Sequence, residues 1–176
     1  MAQSCALVLA AGDGKRMKSK HPKVLCQVLF RPMISWVTDA CLRAGVQDIC
    51  AVLGAGAEEV APVLPQGCKT ALQLQRLGTG HAVMCAREFL EEHRGGDILI
   101  LCGDAPFVSA GLIEDSYRYH CEKGNGVTVI SAKVENPFGY GRILRAEDGS
   151  LLAIVEQRDA TEEQKNICEI WQMKRV

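Results

Sequence analysis

Short apolar runs typical of buried strands alternate along this chain with segments whose apolar residues follow helical spacing. Cys5–Leu9 is a continuous apolar run that ends in Ala-Ala-Gly12, and apolar residues recur every three or four positions over 32–44. Pro32 suits the first helical position there, and Gly45 suits the residue after the last turn. Further strands are predicted over 48–53, 69–74, 97–102 and 126–131. Further helices are predicted to begin at Glu58 and to cover 79–90 and 109–123, the last of them capped by Ser109.

The last quarter of the chain predicts a hairpin and a short helix. Arg142–Arg145 and Leu151–Val155 are joined through a Glu-Asp-Gly turn, and Thr161 to Gln164 has the spacing of a capping box. Alternating strands and helices indicate an α/β fold with a mostly parallel central sheet. Because no repeat, low-complexity tract or linker divides the chain, we predict one domain over 1–176.

Composition adds little to this fold but excludes several functions. The 176 residues are 48% hydrophobic and 23% charged with a net charge of -1, which gives no reason to expect a nucleic-acid partner. No apolar run approaches the ~20 residues of a membrane span, so we expect no membrane partner. Nine scattered cysteines without a C-x-x-C pair predict reduced, mostly buried thiols in a cytosolic, cytoplasmic protein. Basic residues cluster locally and indicate an anion site: Lys15, Arg16, Lys18, Lys20 and Lys23.

The segment after the first predicted strand has the composition of a phosphate-binding loop. Gly12 and Gly14 let the backbone approach a phosphate with its N–H groups turned inward, and Arg16 and Lys23 add positive charge. The alternative is a strand-to-helix turn whose glycines serve geometry alone. The loop matches neither G-x-x-x-x-G-K-[ST] nor G-x-G-x-x-G, which excludes a kinase-type P-loop and a dinucleotide fingerprint.

A carboxylate follows the strand predicted over 97–102. Ligands of open α/β sheets bind beyond the carboxyl ends of the strands, so Asp104 would face the same crevice as the first loop. There it can hold a Mg²⁺ that substrate phosphates also bind. The alternative is that Asp104 forms a turn before Pro106.

Three further segments carry polar residues suited to a ligand. Gln73 has both a donor and an acceptor, as recognition of a base edge requires, while Thr79 is a candidate helix N-cap. We predict His81 to be a first-turn helix residue and not a catalytic base. The glycines of 139–143 permit close approach of a ligand or form a plain turn. Glu156 can accept hydrogen bonds from sugar hydroxyls or end the hairpin in solvent.

These residues carry a family resemblance. Leu9-Ala-Ala-Gly-x-Gly-x-Arg-Met17, followed by Pro22-Lys-Val-Leu25, resembles the signature of nucleotidyltransferases that join a sugar phosphate to a nucleotide. Narrower segments lie at 77–82 (Leu-Gly-Thr-Gly-His-Ala), 139–143 (Gly-Tyr-Gly-Arg-Ile), 154–156 (Ile-Val-Glu) and 159–161 (Asp-Ala-Thr). In that order they look like the uridylyltransferase domain of the bacterial bifunctional enzymes that make UDP-N-acetylglucosamine. The resemblance spans 4–170 and implies a Rossmann-like nucleotidyltransferase fold with a β-hairpin insertion.

The resemblance also implies a reaction and a set of roles. N-acetylglucosamine 1-phosphate would attack UTP, with Mg²⁺ as cofactor, giving UDP-N-acetylglucosamine and pyrophosphate. The protein's work would be alignment and charge neutralisation, since the attacking phosphate oxygen is already ionised. The implied roles are phosphate contact by Arg16 and Lys23; Mg²⁺ binding by Asp104; uracil recognition by Gln73 and Gly78 with Thr79; nucleotide binding by the backbone of Leu9, Ala10, Ala11, Gly12 and Gly14; and sugar binding by Gly141 and Glu156.

Two departures from the family pattern shape the expectation. Lys15 replaces the usual Thr, and after Ile170 the family continues with Asn-Thr-Gly where this chain reads Trp171-Gln-Met-Lys-Arg-Val176. The resemblance then implies a truncated domain without a second metal ligand or the acetyltransferase β-helix, so we expect weak UTP–Mg²⁺ binding and low turnover. Alternatives are a non-catalytic nucleotide-binding or interaction domain that self-associates through uncovered apolar surface, or a nucleotidyltransferase that uses CTP or dTTP.

Overall fold

A computed structural model describes residues 4–12, 21–75 and 77–171. The described residues fall into two compact units that divide between Tyr117 and Arg118. The first unit contains β1 (Ser4–Ala10), a 3-10 turn (Lys23–Leu25), β2 (Gln27–Val28), β3 (Arg31–Pro32), α1 (Met33–Arg43), β4 (Asp48–Leu53), α2 (Ala57–Val60), a second 3-10 turn (Ala61–Val63), β5 (Lys69–Leu72), α3 (Thr79–Cys85), α4 (Arg87–Glu92), β6 (Asp97–Cys102) and the start of α5 (Ala110–Lys123).

A four-stranded parallel sheet forms the centre of the first unit. Its order is β5-β4-β1-β6, with Leu7 of β1 opposite both Cys50 and Ile100. Alternate residues of the inner strands point to two apolar clusters. On one face Ala6 and Val8 pack against α1, and on the other Cys5 and Leu7 pack against α3 and α4. The predicted parallel α/β sheet is therefore confirmed, and its inner strands are apolar throughout because both faces are covered.

The helix ends refine the sequence prediction. Gly45 follows α1 with a φ of 84°, as predicted for the residue after the last turn. Pro32 is not the first helical residue, because it is still extended and pairs with Gln27 in the small β2–β3 hairpin. Ser109 does cap α5: its Oγ accepts a hydrogen bond of 3.1 Å from the N–H of Leu112.

Two predicted elements of the first unit have different limits. The helix predicted over 79–90 is broken at Ala86, whose φ of -94° and ψ of 22° leave the helical region. This turn lets Ala82, Ala86 and Phe89 all reach one apolar cluster. The strand predicted over 69–74 ends at Leu72.

Among the residues that the structure describes, β6 is an edge strand of the sheet and not the fully buried strand that its sequence predicts. Ile98 and Ile100 are 43% and 37% exposed, whereas Leu101 on the opposite face is buried. An uninterrupted apolar run cannot by itself distinguish a central strand from an edge strand, because burial depends on which neighbour the strand has.

The turn of the β2–β3 hairpin holds two bulky residues in the left-handed region. Leu29 and Phe30 have φ values of 50° and 63°, and their side chains are 76% and 95% exposed. Two-residue hairpins favour this backbone shape because it matches the strand twist, but asparagine and glycine normally occupy it. The indole N–H of Trp36 donates to the Val28 carbonyl at 2.9 Å beside the turn.

We expect Phe30→Gly to stabilise the chain. Relative to Phe30→Ala, which also removes the ring but keeps the Cβ, the glycine variant should have a free energy of unfolding higher by about 1 kcal/mol. Urea unfolding followed by Trp36 fluorescence measures the difference. Equal stability of the two variants would show that the Cβ at residue 30 carries no strain.

The second unit is an antiparallel sheet of β7 (Ser131–Lys133), β8 (Gly141–Arg145), β9 (Leu151–Val155) and β10 (Glu169–Trp171), in the order β7-β10-β8-β9. The predicted hairpin is confirmed as β8 and β9. The short helix α6 (Glu162–Lys165) begins with the predicted capping box, in which Thr161 Oγ1 accepts from the Gln164 N–H at 3.2 Å and Gln164 Oε1 accepts from the Thr161 N–H at 3.0 Å.

The strand predicted over 126–131 is wrong for all but its last residue. β7 begins at Ser131, which pairs with Trp171, the last residue of β10. Within the described part of the chain, residues 127–130 have no partner strand, and Val127 is 74% exposed. A β-branched run forms a strand only where another strand supplies its hydrogen bonds.

Glu169 ties three strands of this sheet together. Its carboxylate accepts two hydrogen bonds from Arg145 of β8, at 2.9 and 2.6 Å, and one of 2.6 Å from the Ser131 hydroxyl of β7. The Arg145 guanidinium, aided by Ser131, lowers the pKa of Glu169 to about 2.

We expect this carboxylate to make stability pH-dependent in acid. Because its pKa is lower in the folded than in the unfolded chain, its contribution is complete above the unfolded value and is lost as pH falls from about 5 towards 2. The free energy of unfolding should therefore fall more steeply for the wild type than for Glu169→Gln in urea titrations across this range. Glu135→Gln, an exposed change in the same unit, should show the same pH dependence as the wild type. If the free energy of unfolding of Glu169→Gln falls with pH as steeply as that of the wild type, the low pKa of Glu169 is contradicted.

The nine cysteines are all free thiols. Cys5, Cys41 and Cys50 are buried in the first unit, and burial raises the pKa of Cys41 to about 12 and that of Cys50 to about 11. Cys121 and Cys168 are exposed, so the prediction of mostly buried thiols is too strong. Among the helices of the described residues, none has the length and apolar character needed to cross a membrane.

Candidate active site

The carboxyl ends of the four parallel strands lie along one edge of the first unit's sheet. The N–H of Gly103, after β6, donates to the Leu9 carbonyl of β1 at 2.8 Å. The N–H of Gln73, after β5, donates to the Leu53 carbonyl of β4 at 2.8 Å. Residues far apart in the chain are thus brought to one edge, which is where parallel α/β sheets bind ligands.

Two glycines allow the strand ends to pack closely. A Cβ on Gly54 would lie 2.8 Å from the Ala11 carbonyl oxygen, and one on Gly103 would lie 3.2 Å from the Leu9 oxygen and 3.3 Å from Val24. The backbone of 9–12 therefore runs between two segments that leave no room for side chains. The sequence analysis missed both glycines, although each directly follows a predicted strand and could have been found by that position.

The structure brings Lys23 and Asp104 together. Lys23 opens the 3-10 turn after the first loop, and its Nζ forms an ion pair with Asp104 Oδ2. The two side chains are 30% and 35% exposed, so the ion pair is partly accessible to solvent at the carboxyl ends of the strands and is not part of the core. Burial, and secondarily the Asp104 charge, raise the pKa of neighbouring Cys102 to about 11, which keeps that thiol neutral.

Gln73 is held at the end of β5 by its own side chain. It is 6% exposed, and its Nε2 donates to the Gly78 carbonyl at 3.0 Å and lies 3.1 Å from His81 Nδ1. Gly78, with a φ of 100°, is the N-cap of α3, because its carbonyl accepts the first helical hydrogen bond, from Ala82 at 3.1 Å. Thr79 is thus not the N-cap that the sequence predicts: glycine turns the chain one residue earlier. His81 lies in the first turn of α3, as predicted.

The remaining predicted residues divide between the two units and the undescribed loop. Leu9, Ala10, Ala11 and Gly12 lie at the end of β1, whereas Gly14 and Arg16 lie outside the described residues. In the second unit Gly141 opens β8 and Glu156 directly follows β9. A Cβ on Gly141 would lie 3.9 Å from the Glu156 carboxyl carbon, so these two predicted sugar-binding residues are neighbours.

Arg142 is a structural residue that the sequence analysis did not single out. Its side chain is 1% exposed and donates to the Tyr140 carbonyl, to Gln157 Oε1 at 2.7 Å and to the Lys165 carbonyl at 3.3 Å. These bonds fix the turn before β8 against the segment after β9.

The profile of the MobA-like NTP transferase domain matches residues 6–167. The chain belongs to this family. It is 49% identical over 164 residues to the bifunctional protein GlmU of Thermoanaerobacter pseudethanolicus, covering 93% of this chain and 35% of that protein. It is 46% identical over 170 residues to the GlmU of Caldanaerobacter subterraneus subsp. tengcongensis, covering 97% and 37%. The chain thus spans about a third of the length of the curated relatives it matches.

Two solved structures share the fold. A Bacillus anthracis protein assigned as a glucose-1-phosphate thymidylyltransferase has a TM-score of 0.76 at 20% identity, over 96% of this chain and 68% of its own. A UDP-glucose pyrophosphorylase in complex with UDP-glucose has a TM-score of 0.76 at 17% identity, over 99% and 75%. The predicted Rossmann-like nucleotidyltransferase fold is confirmed.

The NTP transferase domain offers one carboxylate that fits a magnesium ion. Among the described residues no group of three or more His, Cys, Asp or Glu side chains is arranged to hold a metal. Mg²⁺, however, keeps several waters and commonly takes only one or two carboxylates together with substrate phosphates. Asp104 supplies one such oxygen donor at the strand ends, so the residues fit a substrate-bound ion better than a permanent all-protein site.

We expect the close packing of the NTP transferase strand ends to show in two glycine variants. Gly54→Ala should lower the free energy of unfolding by about 1–3 kcal/mol, because the new Cβ meets a backbone oxygen that cannot move without shifting β1. Gly80→Ala in α3, where a Cβ meets nothing within 4 Å, should be neutral or slightly stabilising. Urea unfolding compares them, and similar effects in both would contradict the packing argument.

Proposed function

We propose that this domain transfers the uridylyl group of UTP to N-acetylglucosamine 1-phosphate, releasing pyrophosphate and UDP-N-acetylglucosamine. The observation that carries the proposal is the pairing of Lys23 with Asp104 at the carboxyl ends of β1 and β6. Both side chains are partly exposed and can separate, so that Lys23 binds a phosphate and Asp104 binds a metal ion that a phosphate also holds. The identity to the GlmU relatives supports the choice of nucleotide and sugar.

The reaction needs charge neutralisation more than proton transfer. An ionised oxygen of the sugar phosphate attacks the α-phosphorus of UTP, the bond from that phosphorus to the bridging oxygen breaks, and pyrophosphate leaves with the electron pair. Lys23 would stabilise negative charge on the phosphates, and backbone N–H groups of the segment that follows β1 would position them. When bound, Mg²⁺ neutralises further phosphate charge, and Asp104 is the residue that would hold it.

Recognition of the two substrates is assigned to different residues. Gln73 and Gly78, with Thr79, would contact the uracil at the end of β5, and Gly141 with Glu156 would bind the amino sugar. Gly14 and Arg16 remain predicted phosphate ligands on the basis of the loop sequence. Ala10 and Ala11 are buried, whereas Gly12 is partly exposed, so the backbone at Gly12 is the part of this stretch that would lie open to the nucleotide.

A second candidate is a non-catalytic nucleotide-binding or interaction domain. The exposed Ile98 and Ile100 of the edge strand favour it, since an apolar edge strand invites another chain to pair. A third candidate, with CTP in place of UTP, is disfavoured by the amide of Gln73, whose NH₂ group is occupied within the protein.

The test combines a UTP titration by calorimetry, with and without Mg²⁺, and an assay for UDP-N-acetylglucosamine formation. Binding with product formation supports uridylyl transfer. Binding of UTP without product supports the non-catalytic candidate. A chain that binds no nucleotide under either condition contradicts uridylyl transfer and nucleotide binding and supports the interaction domain.

Two variants separate the roles of the ion pair. Lys23→Met should weaken UTP binding about 10- to 100-fold both with and without Mg²⁺, because it removes a charge-assisted contact. Asp104→Asn should remove most of the enhancement by Mg²⁺ and leave metal-free binding equal or tighter, because it removes a negative charge near the phosphates. Asp97→Asn, at the opposite end of the same strand, should match the wild type. Full enhancement by Mg²⁺ in Asp104→Asn would contradict the metal assignment.

A further inference from the structure

Both hydrogens of the Gln73 amide are used inside the protein. Nε2 donates one to the Gly78 carbonyl at 3.0 Å and lies 3.1 Å from His81 Nδ1, which is the position for the second. The carbonyl end, Oε1, makes no hydrogen bond to any residue that the structure describes. Because both amide hydrogens are used, Oε1 is the atom of this amide that can accept a hydrogen bond from a ligand.

The contact also fixes the chemical form of His81. An amide NH₂ can only donate, so Nδ1 must accept and His81 must be neutral with its proton on Nε2. Cys85 Sγ lies farther from Nδ1, at 3.8 Å, so the amide is the nearer donor. His81 stands on the first turn of α3, and Gly78 precedes that helix, so one short segment supplies both acceptors for the Gln73 amide.

We propose that His81 is a positioning residue that holds the Gln73 amide with its oxygen outward and thereby makes the site prefer uracil to cytosine. The inference rests on the proposed function, in which Gln73 contacts the base. Uracil carries an N3–H donor that complements Oε1, whereas cytosine has an acceptor at N3. A Gln73 amide rotated by 180° would present its NH₂ group instead and would complement cytosine.

The Gly78 carbonyl alone would fix the orientation of the Gln73 amide only weakly. It also accepts the first hydrogen bond of α3, from the N–H of Ala82 at 3.1 Å, so it is shared between the helix and the amide. In the rotated amide, Oε1 would face the lone pairs of both Gly78 and His81, and two acceptor pairs would replace two hydrogen bonds. Without His81 only one of these penalties remains. The discrimination thus depends on a residue that would not touch the nucleotide.

The base edge also limits what His81 can discriminate. Thymine presents the same N3–H and carbonyl groups as uracil, so the Gln73 orientation separates UTP from CTP but not from dTTP. Selection against thymine would require a contact at the C5 methyl, which Gln73 does not supply.

The test compares UTP and CTP affinities of four proteins by calorimetry. His81→Leu should lower the ratio of UTP to CTP affinity about tenfold, through weaker UTP and tighter CTP binding, because one hydrogen bond no longer holds the amide. His81→Asn should keep a ratio near that of the wild type, because its Oδ1 can replace Nδ1 as acceptor. Met84→Ala, an exposed change on the same helix, should leave both affinities unchanged.

A spectroscopic readout that needs no nucleotide accompanies the titration. In ¹⁵N NMR spectra, His81 Nδ1 should have the shift of an unprotonated nitrogen, and the Gln73 side-chain NH₂ protons should exchange faster in His81→Leu than in the wild type. An unchanged UTP-to-CTP ratio in His81→Leu, or a protonated Nδ1 in the wild type, overturns the proposal. A wild type that shows the NMR signature yet prefers neither nucleotide instead overturns the assignment of Gln73 to the base, and the specificity role of His81 with it.

Discussion

The central strand β1 is the constraint on which the first unit depends. It is hydrogen-bonded in parallel on both sides, to β4 and β6, and its side chains from Cys5 to Val8 are fully buried. A strand with no free edge and no free face can change neither register nor direction without disrupting both apolar clusters. The position of 9–12, where the chain leaves the sheet, is therefore set by the core and not by the loop itself.

This constraint explains how the candidate site can be built from weakly exposed, distant residues. Lys23 and Asp104 are 81 positions apart. Asp104 directly follows Gly103, whose N–H donates to Leu9, and Lys23 precedes Val24, which lies in the same apolar cluster as Ala10. Gln73 is likewise tied to the end of β4 before its side chain turns to α3. Rigid strand ends supply the precision, and short turns supply the chemistry.

Local signals in the sequence predicted the local features well. The strand over 48–53, the left-handed Gly45 and the capping box at Thr161 are all set by a few neighbouring residues, and all were predicted correctly. Features that depend on a distant partner were not. The edge position of β6 and the lack of strand pairing over 127–130 depend on which strand lies alongside each segment. The spacing of apolar residues within a segment does not reveal its neighbours.

The candidate site shows the same division. Lys23, Asp104 and Gln73 could be named from the sequence because polar residues after apolar strands are distinctive. The contact of Gln73 with His81 could not, since it depends on the helix beginning at Gly78 rather than at Thr79. Arg142 was missed because its three acceptors include two main-chain carbonyls, which carry no sequence signature.

The buried and the exposed thiols of this chain differ in their reactivity towards reagents in solution. Only the thiolate form reacts with alkylating reagents, so the buried Cys41 and Cys50, with pKa values of about 12 and 11, are protected twice, by low access and by protonation. The exposed Cys121 and Cys168 both belong to the second unit. A maleimide pulse on the native chain therefore reaches Cys121 and Cys168 before the buried thiols, and tagging of Cys41 and Cys50 marks the opening of the first unit. The maleimide reaction rates of the native cysteines thus distinguish local from global unfolding without an engineered probe.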